Sequence, residues 1–527
     1  MFTLTLLLLT ASLAYTVSRA LRLPPVPILL AAGLGLNVSG LTENLLDQEF
    51  LENTLMLGLA FLVFHAGTEL NPRRIGTRVG RVLGVAGLQF FAVGGLGLSV
   101  ALALGKTLTA ALLVALAIAA SSTLVVVRLL QERRHFYEPQ GQLVVGVLLV
   151  QDLLVILAIG IIAGVTQPSL PLVVPLGAIA GFVLVTWLLV RFATPWVLGR
   201  LSLDEETLLL ALLTILFLFA GAAALADLPL AVGAFFAGIA VSGFPVNALI
   251  RGQLNSLTDF FLAIFFVALG AFIVLPSTEG WMLAGVLALL VLVVTPPLVA
   301  WLIERMGWSA RAALESGLLL AQTSELSIVV GMLGVSRGLL EPEVFSALAL
   351  TTLLTMLLTP LLVRAAVIDT LVHWHPSQRR HRAHSALGHV VVLGCGRQGF
   401  DLVHRLRERG HRVLVVDDDP AVVASLLEEE IEAVRGDAAT PRLLEAIQAR
   451  RAGLIVSFMR RTEDNLKLLR SIRNVPVYVR VFESHDARAI RRAGGHPIAY
   501  ADATAKTFIA WFEQTFPRPP GGEEGAT

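Results

Sequence analysis

The chain of 527 residues is 56% hydrophobic and only 15% charged, with a mean hydropathy of +0.77. Soluble domains carry charge on about a quarter of their residues, so this composition excludes one. The formal net charge of +1 gives no sign of a nucleic-acid partner, because it sums two unlike regions: 35 charged residues fall in 1–363 and 44 in the shorter stretch 364–527.

Apolar segments approaching the roughly 20 residues that a helix needs to cross a bilayer recur between short polar breaks. They fall at 2–18, 25–40, 53–70, 82–104, 108–130, 142–165, 171–193, 206–226, 228–243, 257–276, 280–304, 313–336 and 344–366, thirteen in all. No basic residue precedes the first, which reads as a span and not as a cleaved leader. An odd number puts the two termini on opposite sides. One set of alternate loops carries fourteen arginines, among them Arg73, Arg74, Arg133 and Arg134, while the other carries only Lys106 and Arg337. Basic loops stay in the cytoplasm, so the N-terminus is expected outside and the C-terminal region inside. The eighth and ninth spans share a break at 226–229; if they are one element, the parity fails.

A charged side chain at mid-bilayer costs about 2.5 to 3.5 kcal/mol on insertion scales, so those that remain face a protein interior and serve transport. Asp152 is one, midway along the sixth span beside Gln151 and with no basic residue near it in sequence. Glu325, in the twelfth span, is another, whereas Glu69, Asp227 and Asp259 lie nearer span ends. Two otherwise apolar spans carry a central polar run: Ser121, Ser122 and Thr123 in the fifth, and Gln322, Thr323 and Ser324 in the twelfth. Such runs tie helix to helix by hydrogen bonds. At corresponding positions of two halves they also mark inverted repeats, whose unwound helices meet at a substrate site near the midplane. Asp152 completes such a site from the neighbouring span. One carboxylate there holds either a proton or a metal cation, so exposing it to the two sides in turn exchanges one for the other. Gln151, Ser121, Ser122 and Thr123 add neutral oxygens that suit an alkali cation, and no cluster of soft ligands points to a transition metal. Glu325, beside Gln322 and Ser324, either joins this site or ties down the unwound segment.

Residues 369–387 read as a basic juxtamembrane linker with Arg379, Arg380, Arg382 and four histidines, which a metal could also use. Val390-Val391-Val392-Leu393 then runs into Gly394-Cys395-Gly396-Arg397-Gln398-Gly399, a strand feeding a G-x-G-x-x-G turn and a helix. A second strand over 412–416 ends in Asp417, at the spacing a dinucleotide fold requires. The glycines admit a pyrophosphate to the helix N-terminus, and Asp417 is placed to take ribose hydroxyls. The nucleotide site is therefore assigned to Gly394, Gly396, Arg397, Gln398, Gly399, Asp417 and Asp418. Further strands near 432–435, 453–458, 476–482 and 497–500 complete a parallel βα domain over 388–502, followed by a helix and a Pro/Gly tail in 503–527. No acid, base or hydride-acceptor pocket is evident beyond the turn. The ligand reads as an adenine nucleotide (NAD(H), AMP or ATP) in a structural or regulatory role, with a membrane-anchored oxidoreductase as an alternative. Cys395, the lone cysteine, excludes a disulfide framework and is either a redox switch or a small residue filling a tight turn.

Taken together, these motifs resemble a family. Ser121-Ser122-Thr123, the stretch 146–152, Gly233 to Gly238 and the run 260–270 resemble the Kef-type branch of monovalent cation/proton antiporters over about 1–365. Gly394 to Gly399, Asp417 and Gly436-Asp437-Ala438 resemble the N-lobe of a regulator-of-potassium-conductance (RCK, TrkA-N) domain. The resemblance implies an α-helical polytopic protein of the inner membrane with 13 transmembrane helices, inverted repeats and crossed broken helices, the NhaA-like antiporter fold. A cytoplasmic α/β Rossmann-like domain follows it. It implies a homodimer with a panel and a six-helix core moving as an elevator. It further implies that Asp152 is the proton/cation carboxylate, that Gln151 tilts the choice to potassium, and that Asp437 and Ala438 approach the nucleotide. Three departures are visible: the eleventh span, at 292–297, has no lysine, which favours one proton per cation; Thr323-Ser324-Glu325-Leu326 replaces the Gly-Gly-Glu-Phe of relatives; and no glutathione pocket is legible. The expected function is nucleotide-regulated potassium/proton antiport and no enzymatic reaction. Sodium/proton antiport on the same fold and a nucleotide-gated cation channel are the alternatives, although the chain has no T-V-G-Y-G filter.

Overall fold

The computed structural model describes residues 2–21, 23–40, 48–69, 79–132, 139–165, 173–193, 205–242, 248–374 and 388–515. Two compact units make up the chain, Met1–Leu302 with Leu314–Ile368, and Ile303–Ala313 with Asp369–Thr527.

The first unit is helical. In chain order its helices are α1 (Phe2–Leu21), α2 (Pro25–Val38), α3 (Gln48–Glu69), α4 (Val79–Ala103), α5 (Leu108–Ala119), α6 (Thr123–Glu132), α7 (Pro139–Val165) and α8 (Val173–Leu188). They continue with α9 (Glu205–Leu225), α10 (Leu230–Ser242), α11 (Ala248–Phe272), α12 (Thr278–Arg305), α13 (Ala310–Leu319), α14 (Leu326–Ser336), α15 (Pro342–Leu362) and α16 (Ala365–Trp374), of which the end of α12 from Ile303, the start of α13 up to Ala313 and the end of α16 from Asp369 belong to the second unit. Among the described residues, eight helical stretches are long and apolar enough to cross a membrane, and five more apolar helices are shorter. Large apolar side chains such as Phe91, Leu218, Leu289 and Val293 are exposed on them, a surface that suits lipid and not water.

The fifth and twelfth spans are each broken. Between α5 and α6 the chain is extended at Ala120, and between α13 and α14 residues 320–325 leave the helix. Hydroxyl and amide side chains at these points offer the backbone partners other than its own ladder, which lets an apolar helix open in the middle. The eighth and ninth spans are two elements, α9 and α10, separated by a turn in which Asp227 is left-handed at φ 55° and the Leu228 N–H returns to the Ala223 carbonyl.

Two helix pairs cross at backbone distance. A Cβ on Gly33 of α2 would lie 2.1 Å from the Val267 carbonyl oxygen of α11, and one on Gly270 would lie 2.2 Å from that of Leu30. Gly67 of α3 and Gly238 of α10 meet in the same way, against the carbonyls of Phe235 and Phe64. Without a hydrophobic drive between helices in lipid, such close approach is what holds them.

The second unit holds a six-stranded parallel sheet: β1 (Val390–Leu393), β2 (Val413–Asp417), β3 (Glu432–Arg435), β4 (Leu454–Ser457), β5 (Val477–Val481) and β6 (His496–Ala499). The spatial order is β3-β2-β1-β4-β5-β6, a doubly wound sheet whose order reverses between β1 and β4. β1 is buried at every position because helices cover both faces, while the edge strands β3 and β6 are partly exposed. The helices are α17 (Gly396–Glu408), α18 (Pro420–Glu428), α19 (Pro441–Ala446), α20 (Thr462–Ser471), α21 (Ser484–Arg492) and α22 (Tyr500–Thr515). The stretch expected as a linker from 369 is helical as far as Trp374, because Ile368 and Val372 lie buried one turn apart and extend α16. Its basic part, 375–387, and the Pro/Gly tail beyond 515 lie outside the described residues.

Candidate functional site

The first break is organised by Ser121. Its N–H donates to Gln151 Oε1 at 3.0 Å, its hydroxyl donates to the Leu320 carbonyl at 2.7 Å, and it accepts from Gln89 Nε2 at 3.3 Å. One residue therefore joins α4, α7 and the second break. Ser122 caps α6 by accepting the Val125 N–H, and the Thr123 hydroxyl donates to Asp152 Oδ2 at 2.8 Å. Gln151 and Asp152 follow one another on α7, so the first satisfies the unwound backbone while the second faces the start of α6.

The second break mirrors this chemistry with other residues. Ser324 Oγ takes the Leu326 N–H at 3.1 Å, as Ser122 does for α6. The Thr323 N–H donates to Thr355 Oγ1, the Thr323 hydroxyl to Thr352 Oγ1 at 3.0 Å, and Thr359 of α15 reaches the Ala321 carbonyl. Gln322 Nε2 donates weakly to the Leu319 carbonyl. Glu325 is held by the Ser122 hydroxyl and the Leu124 N–H and lies near enough for its charge to bear on Asp152. Ser327 of α14 closes the ring by donating to the Ala117 carbonyl of α5. All nine residues assigned to the two breaks and to α7 from the sequence are thus buried and brought together.

The remaining polar atoms are as informative as the bonded ones. Asp152 Oδ1, Glu325 Oε2, Gln322 Oε1 and Gln89 Oε1 are buried acceptors with no hydrogen-bond partner, and Gln151 Nε2 is a buried donor without one. Each such atom costs about 1–3 kcal/mol unless an ion, a proton or an ordered water meets it. Four oxygens without donors, two of them on carboxylates, suit a proton or a dehydrated cation.

In the second unit, Gly394 and Gly396 have positive φ, 68° and 47°, and a Cβ on Gly399 would sit 2.7 Å from Cys395 Sγ. The turn therefore has the form that brings a phosphate to the start of α17. Arg397 and Gln398 lie in α17, but their side chains are outside the described residues. Asp417 Oδ2 accepts the Gly396 N–H and Oδ1 the Asp419 N–H, both at 2.9 Å; Asp418 beside it is exposed. Burial pushes the Asp417 carboxyl above its usual range against these two bonds. Cys395 is buried, and burial with the nearby Asp417 charge pushes its thiol up to about 12, so it fills the turn as an inert side chain. Asp437 Oδ1 accepts the Ala439 N–H, and Oδ2 lies 3.3 Å from the Arg311 guanidinium, which also pairs with Asp369 at 2.8 Å and approaches Asp464 at 4.0 Å. Burial alone would weaken the charge of Arg311; Asp437, Asp464 and Asp369 outweigh it and hold the guanidinium protonated. Ala438 is buried in the core beneath.

Sequence reasoning missed Gln89, the threonines of α15, Ser327 and Arg311. The spacing Thr351, Thr355, Thr359 was a readable stripe along one helix face. Gln89, a single amide in an apolar span, carried a similar signal.

Residues 8–368 match the model of the transmembrane sodium/hydrogen exchanger family, and 390–501 match the TrkA-N domain. The chain belongs to that exchanger family and carries a TrkA-N domain behind its membrane unit. It is 26% identical over 486 residues to the glutathione-regulated potassium-efflux system protein KefC of Shigella flexneri, covering 88% of this chain and 77% of that one. It is 23% identical over 508 residues to the putative cation/proton antiporter YbaL of Escherichia coli, covering 90% of each. The structure of the sodium proton antiporter MjNhaP1 from Methanocaldococcus jannaschii aligns over 70% of this chain and 97% of that one, with a TM-score of 0.51 and 16% identity, a likeness of fold. These relatives are transporters, and the chain is a multi-pass cation/proton antiporter with a regulatory TrkA-N domain.

Proposed function

We propose that this member of the sodium/hydrogen exchanger family exchanges potassium for protons at Asp152. The observation that carries the reading is one carboxylate, 2% exposed, with one oxygen held by Thr123 and the other free at the meeting of two unwound segments. A cation arriving at Oδ1 displaces the proton; a proton arriving from the other side displaces the cation. Both loaded forms of Asp152 are neutral, so the site crosses the low-dielectric interior without a net charge. The absence of a lysine at 292–297 agrees with one proton per cation and electroneutral exchange. Ser121, Ser122, Thr123 and Gln151 supply or position neutral oxygens. Gln322, Thr323, Ser324 and Glu325 brace the opposite break.

Potassium as cargo is supported by the name of the KefC relatives and by Gln151; sodium is the second reading. The 13-span topology with the N-terminus outside, the inner membrane, the inverted repeats, the elevator movement and a homodimer belong to the same proposal. In the second unit, the glycine turn at 394–399 fits an adenine nucleotide: no Cβ blocks Gly394 or Gly396, and each oxygen of Asp417 keeps a lone pair for a ribose hydroxyl. When bound, the nucleotide supplies a regulatory signal and no chemistry to the exchange.

The test is proton movement in proteoliposomes under an imposed pH gradient, with potassium or sodium added, for wild type and Asp152→Asn. Cation-dependent dissipation in the wild type, absent from the variant, is expected. Exchange at the wild-type rate in Asp152→Asn removes Asp152 from the mechanism, and a response to sodium alone replaces potassium as cargo.

A further inference from the structure

Gln89 lies midway along α4, outside the two broken spans and outside α7, and is 2% exposed. The hydrogen bonds of Ser121 fix which way its amide faces. The single hydroxyl proton of Ser121 goes to the Leu320 carbonyl at 2.7 Å, so towards Gln89 the Ser121 oxygen can only accept. Gln89 must therefore present its NH2 group, as its 3.3 Å contact to Ser121 records, and its carbonyl oxygen is turned away. That oxygen is buried and has no donor. The same logic fixes Gln151: the Ser121 N–H donates, so Gln151 gives Oε1 to it and its Nε2 is left without an acceptor. The two amides grip one serine from two helices, and the free ends of both face no partner.

A leucine or methionine at position 89 would fill the space without an unmet acceptor, at lower cost in an apolar interior. An amide kept there in spite of that cost is matched by something that comes and goes. Resting on the antiporter reading above, we propose that Gln89 is a specificity-determining residue, whose Oε1 supplies one of the oxygens that replace water around the cation held at Asp152. A neutral carbonyl dipole at fixed distance discriminates among alkali cations by size and hydration, while it leaves the proton on Asp152 untouched. Ser121 then has two tasks, holding the breaks together and aiming this oxygen.

The experiment compares wild type, Asp152→Asn and Gln89→Met in the same proteoliposomes, reading the apparent KM for potassium and for sodium and the pH dependence at saturating cation. Gln89→Met is expected to raise the KM of the preferred cation by about tenfold to a hundredfold, the worth of one lost dipole on a charge. The ratio of the two KM values should change, and the pH dependence should follow the wild type. A merely structural role lowers the rate for both cations alike and leaves their ratio in place; an unchanged ratio therefore overturns the proposal. Should Gln89→Met be inactive, the purified protein is melted in detergent over a series of KCl and NaCl concentrations. Weakened stabilisation by the preferred salt supports the proposal, and wild-type concentration dependence overturns it. If the wild type itself shows no cation-dependent proton movement, the antiporter reading fails; an inactive Asp152→Asn beside a wild-type-like Gln89→Met fails only the role of Gln89.

Discussion

Asp152, midway along an apolar helix, and Asp417, at the end of an apolar strand, are both buried acids, yet their oxygens are treated differently. Asp152 has one oxygen on Thr123 and one on nothing, whereas both oxygens of Asp417 hold backbone N–H groups of their own loop. The contrast extends to their neighbours. The two broken spans and the helices that bind them carry further partnerless atoms on Gln89, Gln151, Gln322 and Glu325, while Asp437 in the second unit is held by Ala439 and Arg311. Unmet acceptors belong where a ligand must enter and leave many times. A satisfied acid shapes a loop first, and a ligand joins it as an added partner.

The comparison can be broken in several places. The largest effect is expected from Asp152→Asn, which keeps the side-chain shape and a carbonyl for Thr123 but cannot titrate; cation-driven proton movement should drop to background while the protein still elutes as a folded species. Next comes Arg311→Met. It takes from Asp437 its cationic partner, while Lys467 still pairs with Asp369 at 2.7 Å and Lys467 and Arg461 still approach Asp464, so the second unit should lose about 2 kcal/mol, the worth of a hydrogen bond to a charged group. Amide exchange across β1 and β2 in the full-length protein would reveal it, and unchanged protection would show that the three acids do not depend on Arg311.

Ser121→Ala should cost about 1–2 kcal/mol through two lost side-chain bonds, those to Leu320 and Gln89. The expected reading is a melting midpoint lower by a few degrees together with slower exchange; a variant with wild-type melting would mean that the breaks are held elsewhere. Cys395 should give the smallest response. With its thiol pushed up to about 12 by burial and the nearby Asp417 charge, Cys395 stays protonated at pH 8, and its reactivity grows only as the pH rises further. A maleimide should leave the native protein unlabelled and label it fully in denaturant, and fast native labelling would restore the redox-switch reading.

The strands were legible almost to the residue, because short runs such as Val390-Val391-Val392-Leu393 between glycine turns have one interpretation. Both helix breaks were legible from polar runs within apolar spans. What escaped was every partner supplied from a distance. Arg311 pairs with Asp437 across 126 positions, and Thr323 meets Thr355 across 32. Local patterns carry no record of such pairings. Gln89 was overlooked because a single amide in a span otherwise reads as ordinary interhelix glue.

The paired glycines impose a last consequence on movement. At Gly33 against Gly270, and at Gly67 against Gly238, carbonyl oxygens occupy the space a methyl group would need. Sliding either helix by one turn along its axis would bring a residue with a side chain to the place of the glycine, Leu30 or Asn37 on α2 and Phe266 on α11. The crossings therefore act as stops: α2 with α11, and α3 with α10, travel together or stay still together, and whatever shifts during transport must shift at joints where side chains, and not backbones, meet.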